Sequence, residues 1–388
     1  ERQARPLCAR ISGVNTDPSA PPALTITTHS PDATEQLGAR LGARLQAGDV
    51  LCLSGDLGAG KTALTRGLAR GWGALDNAKV VAGADIAQSQ LDKFSNKYPE
   101  VPQLFLDYRR MLDEVKPDYV SVCTWPPLHA EMVEAAAAAG AKGIACEKPM
   151  ANSLAECDRM LVACRASGTK LAIGHQRRYN LRYTEAKAAL DVGKIGALIE
   201  IQSLCRGDLF TDATHSLDLL RFFADDSPVE WVLGQVECKT GRSRFGHEVE
   251  DAALAFVSFQ SGVRGLIQTG DVSPQAAYQR IMLTGTDGRI EIGGDGEEYW
   301  RIINGEQAGW VTHQVAQEAA LNPFACYMRD LIRWVDEGGD YILTGEGGRA
   351  TIEIINAVFE SSHRRSRMRL PLYVTDNPLA RMLANNEL

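Results

Sequence analysis

From Val80 to Gly174 the chain repeats one rhythm: a short apolar run of strand length, then a segment of helical period. Val80–Ala84 is followed by a helix over Ala87–Lys97, the short extended run Leu104–Leu106 by Tyr108–Val115, and Tyr119–Thr124 by Ala130–Ala139, which Gly140 closes. Gly143–Cys146 leads to a helix over Ser153–Ser167, and Lys170–Gly174 ends the series. Strands that alternate with helices predict an α/β chain with a doubly wound parallel sheet. After about Tyr179 the rhythm changes. Extended runs appear at 197–204, 229–238, 252–259, 263–270, 279–284 and 289–292, several of them separated by turns such as Thr286-Asp287-Gly288. With helices at about 212–223, 322–337 and 348–362, this half predicts an α+β domain with a large, mostly antiparallel open sheet.

The 388 residues are enough for about two domains. A net charge of −8 and the lack of a polybasic run argue against a nucleic-acid partner. No apolar run approaches a membrane span, and no secretory signal opens the chain. The nine cysteines include no Cys-x-x-Cys, and Cys52, Cys123 and Cys146 lie in apolar runs. Reduced thiols in a cytoplasmic protein are expected, with no metal site and no disulfide scaffold.

In parallel sheets of this kind ligands bind at the carboxyl ends of the strands. Pro149 stops the Gly143–Cys146 strand and leaves Glu147 and Lys148 at that edge. Lys148 is a candidate proton carrier, because burial lowers a lysine pKa, and Glu147 is placed to orient it or to meet a cofactor. In the second half, His215 opens a helix with Asp212 and Asp218 about one turn to either side, a plausible proton relay. Asp85 ends a strand 25 residues after Gly60, which suits an acidic residue bonding ribose hydroxyls. No Arg follows it closely, and this favours NAD over NADP.

Near the start, the strand Asp49–Ser54 runs into Gly55-Asp-Leu-Gly-Ala-Gly-Lys-Thr62 and a helix over Ala63–Arg70. Gly55, Gly60, Lys61 and Thr62 complete G-x-x-x-x-G-K-[ST] in its strand–loop–helix setting, where backbone N–H groups cradle phosphates, Lys61 reaches them and Thr62 holds magnesium. Gly58, Gly60 and Ala63 also satisfy the relaxed dinucleotide fingerprint G-x-G-x-x-A.

Four motifs in order carry a resemblance: Val-Cys-Thr-Trp-Pro-Pro-Leu-His (122–129), Cys-Glu-Lys-Pro-Met (146–150), Gly-His-Gln-Arg-Arg-Tyr (174–179) and Gly-Asp-Leu-Phe-Thr-Asp-Ala-Thr-His-Ser-Leu-Asp (207–218). From about 71 to 372 the chain resembles the Gfo/Idh/MocA family of nicotinamide-dependent oxidoreductases. The resemblance implies a Rossmann domain, then an α/β domain whose open sheet builds a homo-oligomer, and a sugar- or polyol-like substrate. It implies Lys148 and His215 as the catalytic pair. The family's Asp four residues before this His is Thr211 here, with Asp212 three before. For the cofactor it points to Gly58, Gly60, Asp85, Thr124, Trp125, Pro126, His129, Glu147 and Lys148. Arg177 and Arg178 resemble residues near substrate or cofactor phosphate; two surface arginines are an equal reading of those positions.

Residues 23–75 instead resemble the P-loop ATPase of bacterial tRNA threonylcarbamoyladenosine biosynthesis, carried by Ser-Gly-Asp-Leu-Gly-Ala-Gly-Lys-Thr (54–62) and the helix before it. The downstream parts of that family are absent, so the chain reads as a hybrid. The expected division is a disordered lead (1–22), a P-loop-like segment that supplies the first strand and nucleotide loop (23–75), the rest of the dinucleotide-binding domain (76–178), a substrate and oligomerisation domain (179–372) and a tail (373–388). An NAD-dependent oxidoreductase is the leading expectation. A P-loop protein of tRNA modification using ATP and magnesium, and a non-catalytic binding module of the oxidoreductase fold, stay open beside it.

Overall fold

The computed structural model describes residues 80–99, 101, 103–270, 279–294, 298–315 and 322–387. The expected lead, the strand 49–54 and the loop residues Gly55, Gly58, Gly60, Lys61 and Thr62 lie outside them. Residues 81–388 form one compact unit.

The first sheet is parallel. Among the described residues it has two parts: β1 (Ala82–Ala84) beside β2 (Gln103–Phe105), and β3 (Tyr119–Val122), β4 (Gly143–Cys146) and β5 (Lys170–Ile173) in that order. The strand runs are continuously apolar because both faces of β4 and β5 are covered. Ile144, Cys146, Leu171 and Ile173 face the main core, while Ala145 and Ala172 face Tyr327, Leu331 and Leu343.

Helices α1 (Gln88–Lys97), α2 (Tyr108–Val115), α3 (Pro126–Ala138) and α4 (Leu154–Ser167) connect the strands. The helix expected from Ala130 begins four residues earlier. Pro126 and Pro127 do not break it; they occupy its first turn, where a missing N–H costs nothing. Ser153 caps α4: its hydroxyl accepts from the Glu156 N–H and donates to the Glu156 carboxylate, which also takes the Asn152 N–H.

After a 3-10 turn at Gln176–Tyr179 and α5 (Leu181–Asp191), the chain builds the second sheet. Its strands are β6 (Leu198–Cys205), β7 (Val229–Glu237), β10 (Ala252–Phe259), β11 (Arg264–Gln268), β12 (Gln279–Gly285), β13 (Gly288–Ile292), β14 (Tyr299–Asn304), β15 (Val311–Gln314) and β16 (Met368–Arg369), in the order β15-β14-β13-β12-β6-β11-β10-β7-β16. The β6–β11 pair is parallel and the other pairs are antiparallel. A small hairpin, β8 (Ser243–Arg244) and β9 (His247–Glu248), stands off this sheet. Helices α6 (Thr214–Phe223) and α8 (Gly345–Arg364) pack on its inner face. On the outer face Leu233, Phe256 and Leu266 are cross-strand neighbours, and Leu204, Leu233 and Leu254 are exposed.

Two features were not expected from sequence. The helix α7 (Pro323–Glu337), after the second sheet, returns to cover β4 and β5: the Tyr327 hydroxyl donates to the Ala172 carbonyl at 3.0 Å. The chain leaves the first sheet after β5, and a later segment comes back to cover it. The expected tail also contains a helix, α9 (Pro378–Ala384), whose Leu379 and Met382 are buried in the main core.

Candidate active site

The carboxyl ends of β4 and β5 meet the loop that precedes α6 and the first residue of that helix. Lys148 follows β4 directly, and its Nζ donates to the Thr211 carbonyl at 2.6 Å. Burial pulls its pKa below the usual lysine value, against the carboxylates of Asp212 and Glu147, which pull it up. Glu147 is half-buried; its Oε2 accepts from the Lys148 N–H at 3.3 Å and lies where a Cβ on Gly174 would be 3.3 Å away.

The loop before α6 is tight. Asp208 Oδ1 accepts from the Thr211 N–H at 2.6 Å, and the Asp208 carbonyl accepts from the N–H groups of Asp212 and Ala213. Gly207 has φ +88°, and a Cβ there would lie 1.8 Å from Asp212 Oδ2, so the loop requires glycine at this point. Asp212 is buried and its carboxylate accepts from Arg244 of the β8–β9 hairpin. Nearby, Glu250 is fully buried; its carboxylate accepts from the Leu209 N–H at 2.6 Å, and burial pushes its pKa up to about 8.

His215 is the second residue of α6 and is buried, and its Nδ1 has no hydrogen-bond partner. Burial first, then the charges of Arg177 and Lys148, hold its pKa well below the ordinary value, so the imidazole is neutral. The relay of His215 with two flanking carboxylates does not form. Asp212 turns to Arg244, and Asp218 is taken by Arg178, because helical spacing places these carboxylates near His215 without deciding which cation competes for them. His175, which the sequence reading quoted within a motif but did not single out, stands edge-on to His215 with ring centroids 5.8 Å apart. Its Nε2 is 2.9 Å from Thr214 Oγ1, and burial lowers its pKa to about 4. Its place two residues past the end of β5 was the signal that could have found it.

The other expected residues separate. Asp85 is exposed at the end of β1, with one carboxylate oxygen accepting from the Ala87 N–H at 2.8 Å. Thr124 is half-buried, Trp125 is 60% exposed and Pro126 is buried at the start of α3. His129 is fully buried, and its ring ties two strand-end loops together: Nδ1 lies 3.0 Å from the Pro149 carbonyl and Nε2 3.0 Å from that of Thr124. Arg177 is half-buried and donates to the side chain of Gln279. The surface reading of Arg178 is overturned. It is 2% exposed, and its guanidinium is shared between Asp218 and Asp226, which leaves it facing the interior.

Among the described residues no group of three or more His, Cys, Asp or Glu side chains could hold a metal ion, and no helix is long and apolar enough to cross a membrane. The residues present suit a dinucleotide. An exposed carboxylate ends β1, an exposed ring follows β3, and a lysine and a histidine with a buried, unpartnered nitrogen lie past β4 and on α6.

Comparison with known proteins identifies the family and the fold. Residues 57–175 match the oxidoreductase family with an NAD-binding Rossmann fold, and residues 206–370 match the C-terminal alpha/beta domain of the same family. Residues 28–82 match the threonylcarbamoyl adenosine biosynthesis protein TsaE, so the two kinds of match overlap across the glycine-rich loop. The chain is 29% identical to an uncharacterized oxidoreductase, YrbE, of Bacillus subtilis over 54% of this chain and 65% of that protein. It is 25% identical to the myo-inositol 2-dehydrogenase of Thermotoga maritima over 76% of this chain and 92% of that one. Its fold is similar to that of a levoglucosan dehydrogenase solved with NADH and levoglucosan (TM-score 0.67, 19% identity, 76% of this chain and 90% of that one). The chain belongs to the Gfo/Idh/MocA family of oxidoreductases.

Proposed function

We propose that this protein is an NAD-dependent dehydrogenase of a cyclic polyol or sugar. The observation that carries the reading is Lys148: an amine at the end of a buried strand, with its pKa lowered by burial, beside a neutral histidine with one buried, unpartnered nitrogen. Relatives that act on inositol and levoglucosan support the substrate class. Bound NAD would supply the hydride acceptor. Lys148 Nζ, as the free amine, takes the proton of the substrate hydroxyl as the C–H hydride departs, and becomes the ammonium. The neutral His215 would orient the ring once bound substrate gives its buried Nδ1 a partner. Asp85, the loop Thr124–Pro126 and Glu147 would hold the cofactor, with Arg177 near the reacting end. The test is calorimetry with NAD, NADP and ATP–magnesium in parallel, followed by hydride transfer from a panel of polyols and aldoses that starts with myo-inositol. ATP–magnesium binding without any nicotinamide binding would sink this reading.

The preference for NAD rests on Asp85. Its exposed carboxylate would bond ribose hydroxyls and repel a 2′-phosphate. Asp85→Ala should weaken NAD by roughly tenfold, the worth of one hydrogen bond to a charged group, and narrow the gap to NADP. Tighter binding of NADP than of NAD by the unmutated protein contradicts it.

We also infer a homo-oligomer formed through the outer face of the second sheet. Leu204, Leu233 and Leu254 are exposed there, with Phe256 and Leu266 between them in the cross-strand register. Light scattering should give a multiple of the chain mass, and Leu254→Glu should reduce it to the monomer. A monomeric unmutated protein at micromolar concentration rules the interface out.

A further inference from the structure

The β8–β9 hairpin stands off the second sheet, and its turn reaches Trp125 and Pro127. Phe245 stands edge-on to Trp125 with ring centroids 6.4 Å apart. A Cβ on Gly246 would lie 3.4 Å from both Trp125 and Pro127. The turn is narrow, with φ +48° at Phe245 and +81° at Gly246. Its position sets Arg244, which donates from Nη1 to Asp208 Oδ2 at 3.0 Å and also to Asp212 Oδ2. The two carboxylate side chains are 0% and 9% exposed, and the guanidinium side chain is 32% exposed. The Asp212 carboxylate also has Gly207 close behind it. Asp212 follows Thr211, whose carbonyl accepts from Lys148. Arg244, Asp212 and Lys148 therefore stand in series, the first from a hairpin whose role neither the sequence motifs nor the proposed proton transfer explains.

We propose that Arg244 is a positioning residue for the oxidoreductase chemistry: its guanidinium keeps the Asp212 carboxylate on the hairpin and weakens the pull of that negative charge on Lys148. The inference rests on the reading of Lys148 as the proton acceptor. The charged and titratable groups that act on Lys148 are Glu147 from its own loop, Arg177 from the turn after β5, and Asp212 and Asp208 from the loop before α6; His215 and His175 face it as neutral rings. Among the carboxylates Asp212 acts most strongly. Without Arg244 that carboxylate loses its hairpin partner and can swing toward the amine. A carboxylate within about 4–6 Å favours the ammonium form, and an ammonium cannot accept the substrate proton.

The test reads the free amine directly and needs neither substrate nor cofactor. The full-length protein is labelled competitively with acetic anhydride across a pH series, and acetylation of the Lys148 peptide is measured by mass spectrometry. In R244M, labelling at neutral pH should fall at least about threefold, because loss of a cation from a neighbouring carboxylate moves a lysine by roughly one unit. Its midpoint should move to higher pH. R244K should keep most of the unmutated profile, and D212N should move it to lower pH. In the D212N background R244M should add little, since coupled residues are non-additive. An R244M profile that matches the unmutated one overturns the proposal. So does an R244M change of equal size with and without D212N, which would mean that the hairpin has merely loosened and let water in. If R244M loses its thermal unfolding transition, R244Q replaces it with the same expectations. Failure of the dehydrogenase reading would show separately, as absent nicotinamide binding and hydride transfer in the unmutated protein, while the labelling profiles still decide the part played by Arg244.

Discussion

Lys148→Ala lowers kcat for hydride transfer by roughly 100- to 10,000-fold, the span usual for loss of a general base, and leaves the fold in place. The first half of this expectation follows from the geometry around Nζ. The amine is held at 2.6 Å by a neutral carbonyl and not by a carboxylate, so a substrate hydroxyl can replace the Thr211 carbonyl without breaking an ion pair. Burial lowers the pKa, which increases the fraction of free amine near neutrality. Oxidation by the unmutated protein should therefore rise with pH up to the Lys148 pKa, below the usual lysine value, and that limb should vanish in Lys148→Ala. The second half follows from position. Lys148 is half-buried past the end of β4 and is not part of the apolar core, so circular dichroism and the thermal midpoint should change little. A Lys148→Ala protein that keeps near-normal kcat on a substrate turned over by the unmutated protein would rule out the role.

Arg178→Met has the opposite signature: it destabilises the fold by about 3–5 kcal/mol, the usual cost of removing one partner from a buried ion pair. Arg178 donates Nε and Nη2 to the two oxygens of Asp218, both at 2.8 Å, and Nη1 and Nη2 to Asp226. Burial acts against the guanidinium charge, and Asp218 and Asp226 outweigh it, so its pKa stands above the ordinary value. The Asp218 side chain is 4% exposed. Removing Arg178 leaves that carboxylate with Arg221 at 3.6 Å as its remaining described cation, and Arg221 also serves Asp226. The loss should sit at the low end of the range and be partly recovered in Arg178→Met with Asp218→Asn, where no buried carboxylate is stranded. Urea unfolding measures both. Unchanged stability in Arg178→Met would show that the pair contributes nothing net. The same variant distinguishes a structural arginine from a cofactor contact, because NAD affinity of the folded fraction should be unaffected.

The two expectations divide along the line between what was local in the chain and what was not. Residues a few positions apart carried the strand–helix rhythm, the helix over Ser153–Ser167 and the stop at Pro149 that leaves Lys148 at the sheet edge. Each of these depends on backbone geometry within one or two turns, so spacing alone determines it. The same local reasoning misplaced the start of α3, because prolines that end a strand also fit the first turn of a helix. It also assigned Asp212 and Asp218 to His215, since i, i+3 spacing brings groups near each other without saying which partner wins. That choice was made by distant residues: Arg244, 32 positions from Asp212, and Arg178, 40 positions from Asp218. The return of α7 onto β4 and β5 depends in the same way on how the second sheet directs the chain back. The sequence by itself determined the layered class, the strand-end lysine and the family. Only the tertiary structure decided which cation neutralises which buried carboxylate, because a buried charge binds whatever opposite charge the packing of two sheets brings within reach, and sequence distance has no part in that.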